Sequence, residues 1–238
     1  MRIDIWSDVV CPWCSIGKRR LERALADFPH RDEVEMVFHS FLLDPGAPTE
    51  PTETAQQMLA RKYGLSLEEA AEKQGAVIAV AAELGMDWSR HPDSPHAATV
   101  DAHRLLHLAL AEGGRGQQAA LKDALLHAYF GEARNLADHD VLREVATGIG
   151  LDAGRVSAVL ASEEYADAVA ADVAQARAYG ANGVPFFVVD EKYGVSGAQP
   201  TELFAQLLER AWSESRPVLA TVPGAEDADA CGPDGCAI

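Results

Sequence analysis

Residues 7–14 read Ser7-Asp8-Val9-Val10-Cys11-Pro12-Trp13-Cys14, two cysteines flanking Pro-Trp where a strand-like run gives way to a helical one. Residues 2 to 9 are rich in β-branched and aromatic side chains, as a strand requires. Downstream, Ser15 to Phe28 spaces its apolar residues as a helix does. Two intervening residues at a helix start let the sulfurs reach bonding distance. Pro12 suits the first helical position, where its missing N–H would be unpaired anyway. Cys11 then falls at the N-cap, where free backbone N–H groups and the positive end of the helix dipole stabilise a thiolate. Cys14, one turn further in, is expected to be buried and protonated. The pattern is that of a dithiol: an exposed Cys11 attacks a disulfide and Cys14 resolves the mixed disulfide. Lys18, Arg19 and Arg20 are candidates to supply a positive field to the thiolate, whereas Trp13 offers no charge.

Working outward, Val34 to Leu43 reads as a second strand closed by Asp44-Pro45-Gly46. Strand, helix and strand with so long a connection imply a parallel pair. From about Thr52 to Tyr179 the chain turns to Ala- and Leu-rich helical segments, broken at Gly64, Gly85, His91-Pro92, Gly113-Gly114, Gly131 and Gly150. Strand signals return at Phe186 to Asp190 and Tyr193 to Val195 around Glu191-Lys192. Pro200-Thr201-Glu202 then opens an amphipathic helix reaching Trp212. This element order is that of an α/β, thioredoxin-like fold with a large helical insertion. The expected division is a discontinuous thioredoxin-like domain at 1–48 and 166–216, a helical insertion at 49–165, and a flexible acidic tail at 217–238 carrying Cys231 and Cys236.

The composition is that of a folded protein: 238 residues, 48% hydrophobic and 24% charged. Thirty-seven acidic against twenty basic residues leave a formal charge of −17, which repels a phosphate backbone or an anionic membrane. Nucleic acid and membrane are therefore not expected as partners. No apolar run approaches the roughly 20 residues of a membrane span. No leader-like pattern of basic, apolar and small residues precedes the first strand, so a cytoplasmic address is expected. In that compartment tight cysteine pairs are more often catalytic or metal-binding than structural. A zinc site built from Cys11, Cys14, Cys231 and Cys236 is the competing reading. Pro-Trp astride a strand-to-helix junction is a weak zinc-knuckle sequence, so no metal and no cofactor are expected.

Ser7-Asp8-Val9-Val10-Cys11-Pro12-Trp13-Cys14 resembles the opening of the FrnE-like branch of DsbA-family oxidoreductases. Ala102-His103-Arg104-Leu105, Gly183-Val184-Pro185-Phe186 and Val195-Ser196-Gly197-Ala198-Gln199 are similar to that branch as well, so the likeness covers roughly residues 2–212. The resemblance implies a thiol–disulfide oxidoreductase or isomerase acting on protein or small-molecule disulfides, with glutathione among its partners. It implies that Pro185 is cis and faces the cysteines, and that Pro12, Trp13, Val184 and Pro185 bind substrate. The Val184 N–H and C=O would hold an extended strand. Some members also resemble this chain in a second, wider-spaced pair near the C-terminus. That makes Cys231 and Cys236, bracketing the turn-forming Gly232-Pro233-Asp234-Gly235, a candidate second redox pair. DsbA itself has His where this chain has Trp13, so its strong oxidising power does not carry over. A reducing or isomerising role suits a cytoplasmic address better. The alternatives are a kappa-type glutathione transferase or hydroxychromene-carboxylate isomerase, which carry serine at the position of Cys11, and a zinc-binding, chaperone-like module.

Four further groups stand out. His103 and His107 lie four apart on a predicted helix but lack the Glu of a zinc-protease motif, so they read as a helix-face pair. His39 reads as a partly buried, hydrogen-bonded histidine. Asp4 and Asp8 flank Trp6, and related folds use a buried acid there for proton transfer to the resolving thiol, with surface charge as the simpler reading. Met58, Leu59, Tyr63, Leu65 and Leu67 read as core of the insertion rather than as a binding groove.

Overall fold

The computed structural model describes residues 1–215; the expected tail, with Cys231 and Cys236, lies outside them. The chain runs β1 (Arg2–Ser7), α1 (Pro12–Ala26), β2 (Glu35–Ser40), then α2 (Ala55–Tyr63) and α3 (Leu67–Glu83). It continues through α4 (Val100–Phe130), α5 (His139–Gly148), α6 (Ala153–Leu160) and α7 (Ala166–Ala178). A hairpin, β3 (Phe186–Val189) and β4 (Tyr193–Ser196), precedes α8 (Thr201–Ser215). The sheet order is β2-β1-β3-β4, with β1 parallel to β2 and antiparallel to β3. Ile5 thus stands between Phe38 and Phe187. This is the thioredoxin-like sheet, with the helical insertion between β2 and β3.

Alternation along β1 sorts its side chains by face. Ile3 and Ile5 join Leu21 and Leu25 of α1 and Phe204 and Leu208 of α8 in one buried cluster. Trp6 belongs to another, with Ala176, Phe186 and Val188. A third core surrounds α4, where Leu105, Leu108, Leu121 and Leu125 meet Leu142 and Val156. Val9 and Ile16, on either side of the dithiol, belong to this third core. Each such side chain contributes about 1.5 to 3 kcal/mol by leaving water, so the dithiol is anchored from both of its flanks.

At Gly113-Gly114 the expected break is a kink instead. Gly114 adopts φ 72° and α4 continues beyond it. The continuation lets Gln118 meet the edge strand β2: its amide oxygen accepts the Phe38 N–H at 3.0 Å and its amide N–H donates to the Phe38 carbonyl at 2.8 Å. The insertion thereby covers a sheet edge that would otherwise be open to pairing. The hairpin turn has positive φ at Asp190 and Glu191, the conformation that matches strand twist. No described helix is long and apolar enough to cross a membrane.

Candidate active site

Cys11 caps α1 with an extended backbone, and its Sγ accepts the N–H of Cys14 at 3.3 Å. Pro12 occupies the first turn, as its missing donor favours. The Val184–Pro185 peptide is cis, as the resemblance implied. The Sγ–H of Cys11 donates to the Val184 carbonyl at 3.7 Å, so the start of α1 and the loop before β3 form one site. Gly17 permits this approach, because a Cβ there would stand 3.0 Å from Pro185 Cγ and 3.3 Å from Ala198 Cα.

Both thiols are free and both residues are 3% exposed, which corrects the expectation of an exposed Cys11. The difference between them lies in what they face. Cys11 lines a cleft of about 700 Å³ together with Pro12, Trp13 and Val184, whereas Cys14 does not reach it. Trp13, 44% exposed, marks its mouth. Its lining also includes Met58, Leu59, Tyr63 and Leu65, so these side chains face the cleft rather than the core of the insertion. Only Ala55 and Ala60 of the nine-residue α2 are buried, so its bulky residues are left to the cleft. Tyr63 is 63% exposed and Leu67 is exposed as well.

Beneath the sulfurs lies a buried set of charges. Asp8 accepts the Leu43 N–H at 2.8 Å and faces His103 Nε2 at 3.2 Å. Burial works to raise the Asp8 carboxyl, but these hydrogen bonds hold it below the usual carboxylate range. Burial pushes His103 down against the pull of Asp8, and its Nδ1 has no hydrogen-bond partner among the described residues. Lys122 of α4 is fully enclosed, 3.5 Å from the Ser7 carbonyl. Burial pushes its ammonium down, opposed by the charges of Cys14, Asp8 and Cys11. Burial and the adjacent Cys11 push the Cys14 thiol well up, while Lys122 pulls it back.

The sequence pattern of the DSBA-like thioredoxin domain matches residues 2–209. The chain belongs to this family. It is 50% identical to the probable DsbA oxidoreductase of Streptomyces coelicolor, with a TM-score of 0.84 and coverage of 100% of this chain and 99% of that one. It is 27% identical over 167 residues to YwbO, an uncharacterised protein of Bacillus subtilis, covering 70% of this chain and 75% of the relative. The cytosolic disulfide reductase DsbM of Pseudomonas aeruginosa shares the fold at 18% identity, a TM-score of 0.62, and 88% and 98% coverage.

The cations expected near the thiolate of this DsbA-like domain are engaged elsewhere. Lys18 pairs with Glu22 and Asp123, Arg19 donates to the Leu84 carbonyl, and Arg20 donates to the Ala198 carbonyl. Lys122 stands at the dithiol instead; in the sequence it is half of a Lys122-Asp123 charge pair set in an apolar helical period. His103 and His107 diverge, the first to Asp8 and the second to Ser40 and Asp172. His39 is partly buried and hydrogen-bonded, bridging Asp4 and Asp172 while stacking on Trp6. Asp4 and Asp8 are both buried, which removes the surface-charge reading, and only Asp8 lines the cleft.

Proposed function

We propose that this DsbA-like protein is a thiol–disulfide oxidoreductase that uses Cys11 and Cys14 on protein or small-molecule disulfides. The observation that carries the reading is the Cys11 sulfur at the helix N-cap, opening to a cleft and touching the Val184 carbonyl, with Cys14 behind it. The Cys11 thiolate attacks one sulfur of the substrate, forming a Cys11–substrate disulfide and expelling the other sulfur as a thiolate. The Cys14 thiolate then attacks Cys11 Sγ, closing the Cys11–Cys14 disulfide and releasing the second substrate thiol. Two electrons pass from the protein to the substrate, and each departing thiolate takes up a proton. Reattack by a second substrate thiol before Cys14 closes gives isomerisation instead.

Each neighbour has a part in this scheme. The Cys11 sulfur accepts the Cys14 N–H at the start of α1. The buried ammonium of Lys122 offsets the burial that holds the Cys14 proton. Pro12 and Trp13 line the mouth, and Val184 with Pro185 presents backbone to an extended substrate. The 50% identical oxidoreductase supports the same chemistry. A reducing or isomerising direction suits a cytoplasmic protein. Cys231 and Cys236 extend the scheme as a second couple that exchanges with Cys11.

The test is insulin reduction with dithiothreitol as reductant, and refolding of scrambled ribonuclease, for the wild type and Cys11→Ser. Both activities should vanish in the variant; retention of either removes Cys11 from its role. A reduction potential near about −270 mV would mark a reductase, and one near about −120 mV an oxidase. Cys14→Ser should trap Cys11 in a mixed disulfide with Cys231 or Cys236 if the second pair exchanges.

A further inference from the structure

Gln74 of α3 is 7% exposed and lines the cleft onto which Cys11 opens. Its Oε1 is buried and accepts no hydrogen bond within the described residues. A buried acceptor left unsatisfied is costly, so an occupant that brings a donor to it gains more than the same occupant would in water. His91, His96, Thr99 and Tyr129 also line the cleft, and its carboxylates and lysines divide into two kinds. The carboxylates are engaged: Asp8 with His103 and the Leu43 N–H, and Asp44 with His96 at 3.0 Å. The two lysines are not. Lys62 lies over the Tyr63 ring at 5.9 Å and Lys73 lies near enough to Glu69 for its charge to help lower that carboxyl, and neither makes an ion pair among the described residues.

Besides the Gln74 oxygen, the cleft wall holds His96 Nδ1, buried and without a hydrogen bond among the described residues, and two ammonium groups with no ion pair there, on a chain whose net charge is −17. Its volume of about 700 Å³ falls within the range of roughly 300 to 1,000 Å³ typical of small-molecule sites. The remainder of the wall is mainly apolar, with Leu59, Leu65 and Val77 among its residues. An occupant that satisfies all of these features bears carboxylates, an N–H or O–H donor, and an aliphatic body ending in sulfur.

Given the thiol–disulfide exchange proposed above, on which this inference rests, we propose that Gln74 selects a low-molecular-weight, carboxylate-bearing disulfide by accepting a hydrogen bond from it, with Lys62 and Lys73 binding its carboxylates. The chemistry is unchanged: Cys11 bonds to one sulfur of the small disulfide, the other leaves as a carboxylate-bearing thiolate, and Cys14 displaces the rest. Gln74 acts on specificity and touches no reacting atom.

The experiment separates binding from exchange. S-methylglutathione carries carboxylates and amide N–H groups but no reactive sulfur, so its titration by calorimetry reports binding alone. The wild type should bind it at least tenfold more tightly than its diethyl ester. Gln74→Leu should weaken binding about tenfold, and the Lys62→Gln, Lys73→Gln double variant should weaken it and flatten its salt dependence. In single-turnover oxidation of the reduced protein by glutathione disulfide, Gln74→Leu should raise the half-saturating concentration and keep the limiting rate. Gln74→Leu should also melt no lower than the wild type, because it removes a buried amide oxygen that accepts no hydrogen bond among the described residues; a lower melting point would assign Gln74 a structural role and overturn the proposal. Equal binding by the wild type and Gln74→Leu, or equal affinity for acid and ester, overturns it too. Reduction of insulin without reduction of glutathione disulfide would make the occupant a polypeptide and also overturn it. Failure of the unmodified protein to reduce either disulfide would instead overturn the exchange reading, leaving the S-methylglutathione titrations to decide the role of Gln74.

Discussion

The Sγ of Cys11 lies 3.7 Å from the carbonyl oxygen of Val184, a contact between residues 173 apart in the chain. It places the sulfur that faces the cleft beside the backbone of the loop before β3, while the second sulfur stays behind the helix end. Burial and the neighbouring Cys11 push the Cys14 thiol up. Iodoacetamide at pH 6 to 7 should therefore modify Cys11 first, with Cys14 following only at higher pH. Peptide mass analysis over time checks the order, and earlier labelling of Cys14 would reverse the assignment of attacking and resolving thiols.

Lys122 should govern the second half of the exchange. Its ammonium is the buried cation that pulls the Cys14 thiol down. Lys122→Met removes that pull, so the mixed disulfide on Cys11 should persist about tenfold longer, corresponding to about 1.4 kcal/mol. The substitution also leaves the buried Asp8 carboxylate without that cation, so urea unfolding should show a loss of stability alongside the longer lifetime. Quenched-flow trapping with mass detection measures the lifetime. An unchanged lifetime would mean that the charge has no effect on the sulfur.

The fold was largely legible because its signals are local. Glycines punctuate the helical stretch, Pro12 opens α1, and the Glu191-Lys192 spacing marks the hairpin. The dithiol was legible for the same reason: spacing and N-cap chemistry lie within four residues. What escaped depends on distant packing. Lys122, Gln118 and Gln74 are polar residues in helices, and nothing in a helical period tells which of them will be enclosed. Met58 and Tyr63 read as insertion core in the sequence because apolar side chains at helical spacing face a core or a cleft with the same pattern. Lys18, Arg19 and Arg20 looked closest to Cys11 along the chain, yet each found a partner off the helix end.

Gly17→Ala tests the packing of α1 on the cis-proline loop. Alanine gains up to about 1 kcal/mol in helix propensity. Its Cβ would stand 3.0 Å from Pro185 Cγ, 3.2 Å from Phe187 Cζ and 3.3 Å from Ala198 Cα. Overpacking of this kind costs about 1 to 3 kcal/mol. The expected net loss is about 1 to 2 kcal/mol in urea unfolding, with a larger proportional fall in insulin reduction because the helix bearing Cys11 is displaced from Val184. Stability equal to the wild type would show that the loop yields freely.

Trp13 should report the redox state of the pair. It sits between the cysteines and is largely solvent-facing, whereas the Trp6 indole N–H donates to the Asp172 carbonyl at 2.9 Å and its ring stacks on His39. Emission should change when the Cys11–Cys14 disulfide is reduced, and Trp13→Phe should abolish most of that change. A full response in Trp13→Phe would transfer the reporter role to Trp6.

The last expectation concerns the charge cluster joining β1, β2, α4 and α7. His39 Nδ1 lies 2.9 Å from Asp172 and Nε2 lies 2.6 Å from Asp4, so both ring nitrogens face carboxylates. Burial alone would lower the imidazole, but the hydrogen bonds and charges of Asp172 and Asp4 raise it to about 9. The ordinary histidine value is about 6.5, so the folded state holds this proton more tightly than the unfolded chain. The resulting stabilisation is complete below about pH 6.5 and is lost as pH rises through about 9. Its size is on the order of 3 kcal/mol. On the acid side, burial works to raise Asp172, but His107, His39 and the Ser40 N–H hold it far below the carboxylate range. That contribution is present above the ordinary Asp value of about 3.9 and fades as pH falls below it. The urea midpoint should therefore form a plateau between about pH 5 and 6.5 and decline steadily toward pH 9. His39→Gln should unfold at lower urea throughout and lose the alkaline slope, since an amide does not titrate. A wild-type midpoint that stays level from pH 6.5 to 9 would show that His39 is not held as the cation between Asp4 and Asp172.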